Sequence, residues 1–375
     1  MFERIKHMLI KEFIQVFRDP RMRAVIFVIP CIQVFVISYA ISMDVKHVPT
    51  AVYDLDNSQM SRDVVAAFER SGYFDVVEEI DSESQVTALL DRSKVGAILH
   101  IMHGFADNLR AGRTAQLQVL VDGTDSNTAN IVQSYAVKIG AAYSQNILVQ
   151  KYERLIGAIN LPGRPELETR AWFNENLESR NFFVPGVLVI VVSIVTMLLT
   201  SMAVVREREI GTMEQIMVTP ITPAEFILGK TIPFAIIGFI DVGLVTLIGR
   251  FWFEVPIRGD LALLFFATGL YLMTMLGIGL FVSTVSQTQQ QAMISTFFFF
   301  FPAMLLSGFA FPIANMPQLV QWLTLFNPLR YYMVIVRVIF LKGVGLAILW
   351  PDMLALAVMG VVMLTLSTKR FHKTM

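Results

Sequence analysis

From Leu261 to Leu329 the chain carries no Asp, Glu, Lys or Arg. A water-facing surface cannot be built from such a stretch. A bilayer core of about 30 Å takes about 20 apolar residues per helix, so the run reads as two spanning helices. The segment Ser283 to Gln291, rich in Ser, Thr and Gln, is the polar turn between them. The rest of the chain agrees: of 375 residues, 55% are hydrophobic and 16% charged, against about 25% charged in a soluble domain. This is a membrane protein.

Four further apolar runs complete a count of six spans. Ala24 to Met43 is uncharged, Phe182 to Val205 is uncharged, Thr231 to Gly249 is broken only by Asp241, and the last runs from Trp350 to Ser367. The segment Tyr331 to Leu349 contains Arg337 and Lys342 and reads as an outer-face or re-entrant helix. The expected order is therefore an interfacial helix over 1–23, spans at 24–43, 181–205, 231–251, 261–283, 292–311 and 350–368, re-entrant helices over 312–349, and a tail over 369–375. The fold class is an all-α membrane bundle of six helices with an α/β domain inserted at 44–180.

Direction follows from local charge. Arg4, Lys6, Lys11, Arg18, Arg21 and Arg23 outnumber Glu3, Glu12 and Asp19 before the first span, which places the N-terminus in the cytoplasm. An even span count returns the C-terminus there. Lys369, Arg370 and Lys373, with Arg206, Arg208 and Lys230 in the loop at 206–230, agree. More than twenty residues of helical pattern precede the first span, so it is expected to stay in the mature chain rather than serve as a cleaved signal. The 30 basic and 30 acidic residues cancel overall, which removes any general case for nucleic-acid binding. Cys31, the single cysteine, lies in an apolar run and reads as a small buried hydrophobe.

The insert at 44–180 carries 13 Lys and Arg against 19 Asp and Glu, a local charge of −6. Strands are expected at Val48–Asp54, Tyr73–Ile80, Val95–Ile101 and Leu117–Val121, and helices at Ser61–Arg70 and Ser82–Arg92. One long helix follows, from about Ala129 to Ile156. No catalytic constellation is visible. His47, His100 and His103 read as surface or turn histidines, and Asp54 and Asp56 with Asn57 and Ser58 read as a turn after a strand, because the Gly and terminal Glu of a calcium loop are missing. No metal is expected.

Three features carry functional expectations. Phe2, Ile5, Leu9, Phe13, Val16 and Phe17 share one face of an N-terminal amphipathic helix, which is either a surface anchor or a contact for a cytoplasmic partner. The segment Arg206 to Met217 continues the second span as a charged helix, and its face at Glu207, Arg208 and Glu214 is expected to project into the cytoplasm, where water or a partner satisfies it. The triplet Gly229-Lys230-Thr231 imitates the end of a phosphate loop, but Ala224 stands where that motif needs Gly and no strand precedes it. No other nucleotide motif appears, so ATP chemistry has to come from another chain.

Inside the membrane, Asp241 is the central carboxylate and serves either as a structural polar contact or as a proton relay. Phe297, Phe298, Phe299, Phe300 and Phe301 run up to Pro302. They are either ordinary packing or, with Met304, a deformable apolar wall at a dimer interface along the second and fifth spans.

Several blocks resemble the permease subunits of ABC-2 type transporters, in the branch with a large periplasmic domain between the first two spans. They are Lys11-Glu-Phe-Ile-Gln-Val-Phe-Arg-Asp-Pro20, Asn181-Phe-Phe-Val-Pro-Gly186, Glu207-Arg-Glu-Ile-Gly-Thr-Met-Glu-Gln-Ile-Met-Val-Thr-Pro220, and Asn327-Pro-Leu-Arg-Tyr331. Asn174-Glu175 departs from the Asn-Pro common in relatives. The resemblance implies a non-enzymatic permease that forms a homodimer, or a heterodimer with a sister permease, and binds two ATP-hydrolysing subunits, which hold the ATP and Mg. It implies a coupling helix containing Glu207, Arg208, Glu209, Gly211, Thr212 and Glu214, with Phe13 and Arg18 in a second motor contact. Relatives of this branch export drugs or other amphiphiles, often with a periplasmic adaptor and an outer-membrane channel. The alternatives are a non-transporting ABC subunit that passes ATP-driven motion to its outer domain, and a motor-independent transporter.

Overall fold

The computed structural model describes residues 2–40, 45–156, 172–174, 178–212 and 222–374. The chain divides into two compact units, one of residues 1–42 with 170–375 and one of residues 43–169.

The chain opens with helix α1, Phe2–Arg18, and helix α2, Pro20–Arg23. Pro20 lacks an N–H and restricts Asp19 before it, so the helix must restart there. A π-helical turn, Ala24–Val28, leads into α3, Ile29–Ala40. Of the expected apolar face of α1, Val16 is buried, Ile5, Leu9 and Phe13 are half-buried and Phe17 is exposed, and Glu12 is buried on the same side as Val16.

In the 43–169 unit, β1 is Val48–Asp54, α4 Gln59–Arg70, β2 Phe74–Glu79 and α5 Glu83–Asp91. They are followed by β3 at Ala97–Ile101, α6 at Phe105–Arg110, β4 at Leu117–Val121 and α7 at Ser126–Ile156. The sheet order is β2-β1-β3-β4, with β1 parallel to β2 and β3, and β4 antiparallel to β3. Being central and parallel, β1 is covered on both faces, which its run of buried residues requires. Val132 and Ala136 of α7 join Val52, Phe68 and Phe74 in one core. Asp54 forms a turn, accepting from the backbone N–H of Asp56 and Asn57, each at 3.0 Å. Among the described residues no group of His, Cys, Asp and Glu is placed to hold a metal ion.

The other unit resumes with α8, Ser179–Ile210, then α9, Pro223–Phe251, α10, Leu261–Val285, and α11, Gln289–Leu305. It ends with α12, Gln318–Leu323, α13, Pro328–Arg337, and α14, Leu346–Thr374. Among the described residues four helices are long and apolar enough to cross a bilayer, namely α8, α9, α10 and α14. A fifth crossing results if the pair Gln318–Phe326 and Pro328–Lys342, bent by 86°, counts as one. The apolar helix at Ala24–Tyr39 is shorter. The fifth expected span also falls short of residue 311: α11 ends at Leu305, and the chain turns through Gly308, whose φ of +82° suits a residue without a Cβ.

The core lies around α8, which is almost wholly buried, whereas α14 is mostly exposed. Tyr271 and Tyr332 stack with centroids 4.1 Å apart. Their hydroxyls bond to Ser193 Oγ and, at 2.7 Å, to Thr268 Oγ1. Polar tips buried in an apolar bundle need such partners. The bundle has two distinguishable ends. One holds the C-terminus of α8 beside the turn at Ser286, joined by a bond from Arg208 Nη1 to the Ser286 carbonyl. The other holds Trp252, which donates from Nε1 to Tyr39 Oη at 3.0 Å, and Gly259, whose N–H donates to the Ile339 carbonyl at 2.9 Å.

A buried charge cluster as candidate functional site

Thr222 caps α9 in a reciprocal box: Glu225 N donates to Thr222 Oγ1 at 3.3 Å, and Thr222 N donates to Glu225 Oε2 at 2.8 Å. Pro223 occupies the first helical position, where its missing N–H costs nothing. With the helix start fixed, Lys230 comes to lie on the face toward α1 and α8. It is 2% exposed.

The Lys230 ammonium is held by two carboxylates. Nζ lies 2.6 Å from Glu12 Oε1 and 2.7 Å from Glu207 Oε1. Lys11 Nζ reaches the same Glu207 oxygen at 3.0 Å. Thr212 Oγ1 donates to the other oxygen, Oε2, and to the Glu207 carbonyl at 3.2 Å. Two lysines and two glutamates make a neutral set; Lys11 is exposed, and burial of Lys230, Glu12 and Glu207 is tolerable only in company, because one uncompensated buried charge would cost several kcal/mol. Helices α1, α8 and α9 are thereby tied at one point. Gly229 lets α1 come close, because a Cβ there would lie 2.9 Å from Met8 Cβ.

The same end of α8 also grips the next helix pair. Glu209 Oε1 accepts from the Gln289 backbone N–H at 2.9 Å, and Oε2 accepts from Gln289 Nε2 at 2.5 Å. Glu209 thus satisfies a free donor at the N-terminus of α11. Gly211 ends α8 in the left-handed region, at φ +79°.

The expected outward face of the 206–217 segment is therefore corrected at Glu207, which is buried and satisfied within the chain. Arg208 is half-buried on Ser286, and Glu209 is exposed. Glu214 lies outside the described residues. Phe13 is half-buried and stacks on Phe17 at 6.2 Å, and Arg18 is exposed. Lys230, Glu12 and Lys11 were not among the expected site residues. The one sequence signal was a carboxylate, Glu12, at helical spacing from Met8 and Val16 on the packing side.

Beside the cluster lies a cavity of about 500 Å³, lined by the charged residues Glu12, Asp19 and Arg206 together with the apolar Met202, Phe234 and Met293. The Phe run does not line it. Ala292, Thr296, Phe300 and Ala303 form the buried face of α11, and Thr296 Oγ1 donates to Ser201 Oγ of α8 at 2.8 Å. Phe300 is 4% exposed and Phe298 83% exposed. Phe297 and Met304 are half-buried against the core, and Phe299 and Phe301 are exposed. Asp241 is fully buried on α9, and both its carboxylate oxygens make no hydrogen bond among the described residues.

Residues 20–369 match the ABC-2 family transporter protein family. The chain is 34% identical over 358 residues to the probable multidrug ABC transporter permease YbhR of Escherichia coli (strain K12), covering 96% of this chain and 95% of that one. It is 33% identical over 377 residues to the probable multidrug ABC transporter permease YbhS of the same strain, covering 98% and 97%. A more distant relative is the linearmycin resistance permease protein LnrN of Bacillus subtilis (strain 168), 22% identical over 343 residues, with 85% and 86% covered. An apolar bundle whose helices are tied at one end by buried charge, matched along nearly its whole length by transport permeases, belongs to the ABC-2 family of transporter permeases.

Proposed function

We propose that the chain is the permease subunit of an ATP-driven exporter that moves a hydrophobic or amphiphilic compound out of the cytoplasm or inner leaflet. The ATP and Mg are held by separate ATP-binding subunits. In this reading the helices make six crossings with α3 and α11 included, both termini are cytoplasmic, and residues 44–180 lie on the periplasmic side. Two permeases pair, as a homodimer or with a sister chain, and a periplasmic adaptor with an outer-membrane channel completes the path.

The carrying observation is the Lys230 cluster. A segment attached at Gly211 and pushed by a motor subunit pulls directly on α8, and through Glu207, Lys230 and Glu209 on α1, α9 and α11 together. Force applied at one loop thus reaches four helices. Phe13, Arg18, Glu209, Gly211, Thr212 and Glu214 are the proposed motor contacts, with Glu207 and Arg208 acting from inside as positioning residues. The 500 Å³ cavity, lined by both apolar and charged side chains, suits the mixed chemistry of an amphiphile and adjoins the same levers. The names of YbhR, YbhS and LnrN agree with a drug-like cargo.

The test is copurification from native membranes, followed by ATP-dependent accumulation of a lipophilic dye in inside-out vesicles. An ATP-binding subunit should copurify, and Glu209→Lys should leave it bound while abolishing accumulation. If no such subunit copurifies, the reading fails.

A further inference from the structure

An apolar groove lies away from the charge cluster, on the exposed side of α14. It measures about 730 Å³ and runs along α14 from Pro351 to Met363, with Ile278 of α10, Phe299 of α11 and Phe326 forming its other wall. At 1.5 Å per residue that span is about 18 Å long. One leaflet of a bilayer core is about 15 Å deep. The groove therefore has the length and lining of a single acyl-chain slot.

At one end of the groove the lining residues Pro351 and Pro328 adjoin charged residues in the chain, which make that end its charged mouth. Pro351 is followed by Asp352, and Pro328 by Arg330 two residues on. Both charged side chains are half-buried. Arg330 is the charge that acts on the Asp352 carboxylate, yet the two form no ion pair within 4.0 Å. Arg330 uses Nη1 on Thr324 Oγ1 at 2.5 Å and on the Gln321 carbonyl at 3.5 Å. Its Nε and Nη2, and the Asp352 carboxylate, make no hydrogen bond among the described residues. Through Gln321, Arg330 touches α12, which bends 86° away from α13 and exposes Leu319, Trp322 and Leu323. A short helix turned across the bundle with Trp outward is how a chain marks the membrane–water interface. A charged mouth beside such a helix fits headgroup depth.

We infer that this groove is a binding site for one amine-bearing glycerophospholipid, with an acyl chain along α14, its phosphate on Arg330 and its ammonium on Asp352. A cation and an anion held apart at the end of an acyl-length slot complement a zwitterionic headgroup. An anionic headgroup would meet Asp352 with like charge. The inference depends on α14 spanning the membrane and not on the export reading.

The full chain is reconstituted into nanodiscs of phosphatidylethanolamine and phosphatidylglycerol in equal parts, then stripped with detergent and weighed by native mass spectrometry. One phosphatidylethanolamine per chain should survive stripping. Arg330→Gln should lower its retention about tenfold, and Asp352→Asn should keep a lipid but lose the preference for phosphatidylethanolamine. Ala355→Trp fills the slot with both charges in place and should exclude the lipid, which covers the case in which Arg330→Gln disturbs the Thr324 contact. Unselective retention, full retention in Ala355→Trp, or cross-linking of two chains through a cysteine at position 355 would each overturn the assignment.

Discussion

Lys230 Nζ lies 2.7 Å from Glu207 Oε1 and 2.6 Å from Glu12 Oε1, so one buried ammonium on α9 closes α1 onto α8. Transport force is applied, in our reading, where these three helices meet.

Lys230→Met removes the cation and leaves two buried carboxylates with Lys11 alone. The expected loss is about 3–5 kcal/mol. Lys230→Met with Glu207→Met restores a neutral remainder, Lys11 with Glu12, and should lose less than Lys230→Met by itself. Thermal unfolding of the three proteins in detergent checks the order; additive losses would show that the pair is not coupled.

Gly229→Ala places a methyl group against the Met8 Cβ, an atom that cannot swing aside. We expect a loss of about 1–3 kcal/mol from the forced shift of α1. Met8→Ala does not remove that Cβ, whereas Met8→Gly does, so only Met8→Gly should recover the loss in unfolding measurements on the double variants.

Asp241 is buried with neither oxygen hydrogen-bonded among the described residues. A structural role predicts that Asp241→Asn transports at the wild-type rate with the wild-type pH profile and unfolds no earlier. A proton relay predicts lost transport and an altered profile. Dye transport across a pH series separates the two, and we expect the structural outcome.

The five Phe residues are not equivalent. Phe300→Ala opens a cavity against α8 and should cost about 3–5 kcal/mol, whereas Phe298→Ala should leave stability nearly unchanged. If the exposed members form a substrate wall, Phe298→Ala, Phe299→Ala and Phe301→Ala shift selectivity among dyes at constant expression. A flat selectivity profile leaves packing as their role.

The span at Leu261–Val285, and strands such as Val48–Asp54, were legible because a long apolar run, or a short run of β-branched and apolar residues, is written in adjacent residues. The short helix Phe105–Arg110 was not, since it starts from a left-handed Gly104 and has too few turns to show a period. The end of α11 at Leu305 was hidden inside an apolar run that continues beyond it. The charge cluster was least legible. Lys11 and Glu207 are 196 positions apart, and local pattern put Glu207 on a solvated face because nothing near it in sequence announces a partner. Glu12 carried a faint trace, as a carboxylate in register with Met8 and Val16.

The reach of that cluster also sets an order of events during synthesis. Lys11 and Glu12 leave the ribosome long before Glu207 and Lys230, which follow only after the whole 43–169 unit has been made. Until then α1 has no buried counter-charges to close upon, and it waits as an open latch. Closure of so long a loop comes late in assembly. A truncated or stalled chain therefore keeps its latch open, with an unpaired Glu12 marking it as unfinished.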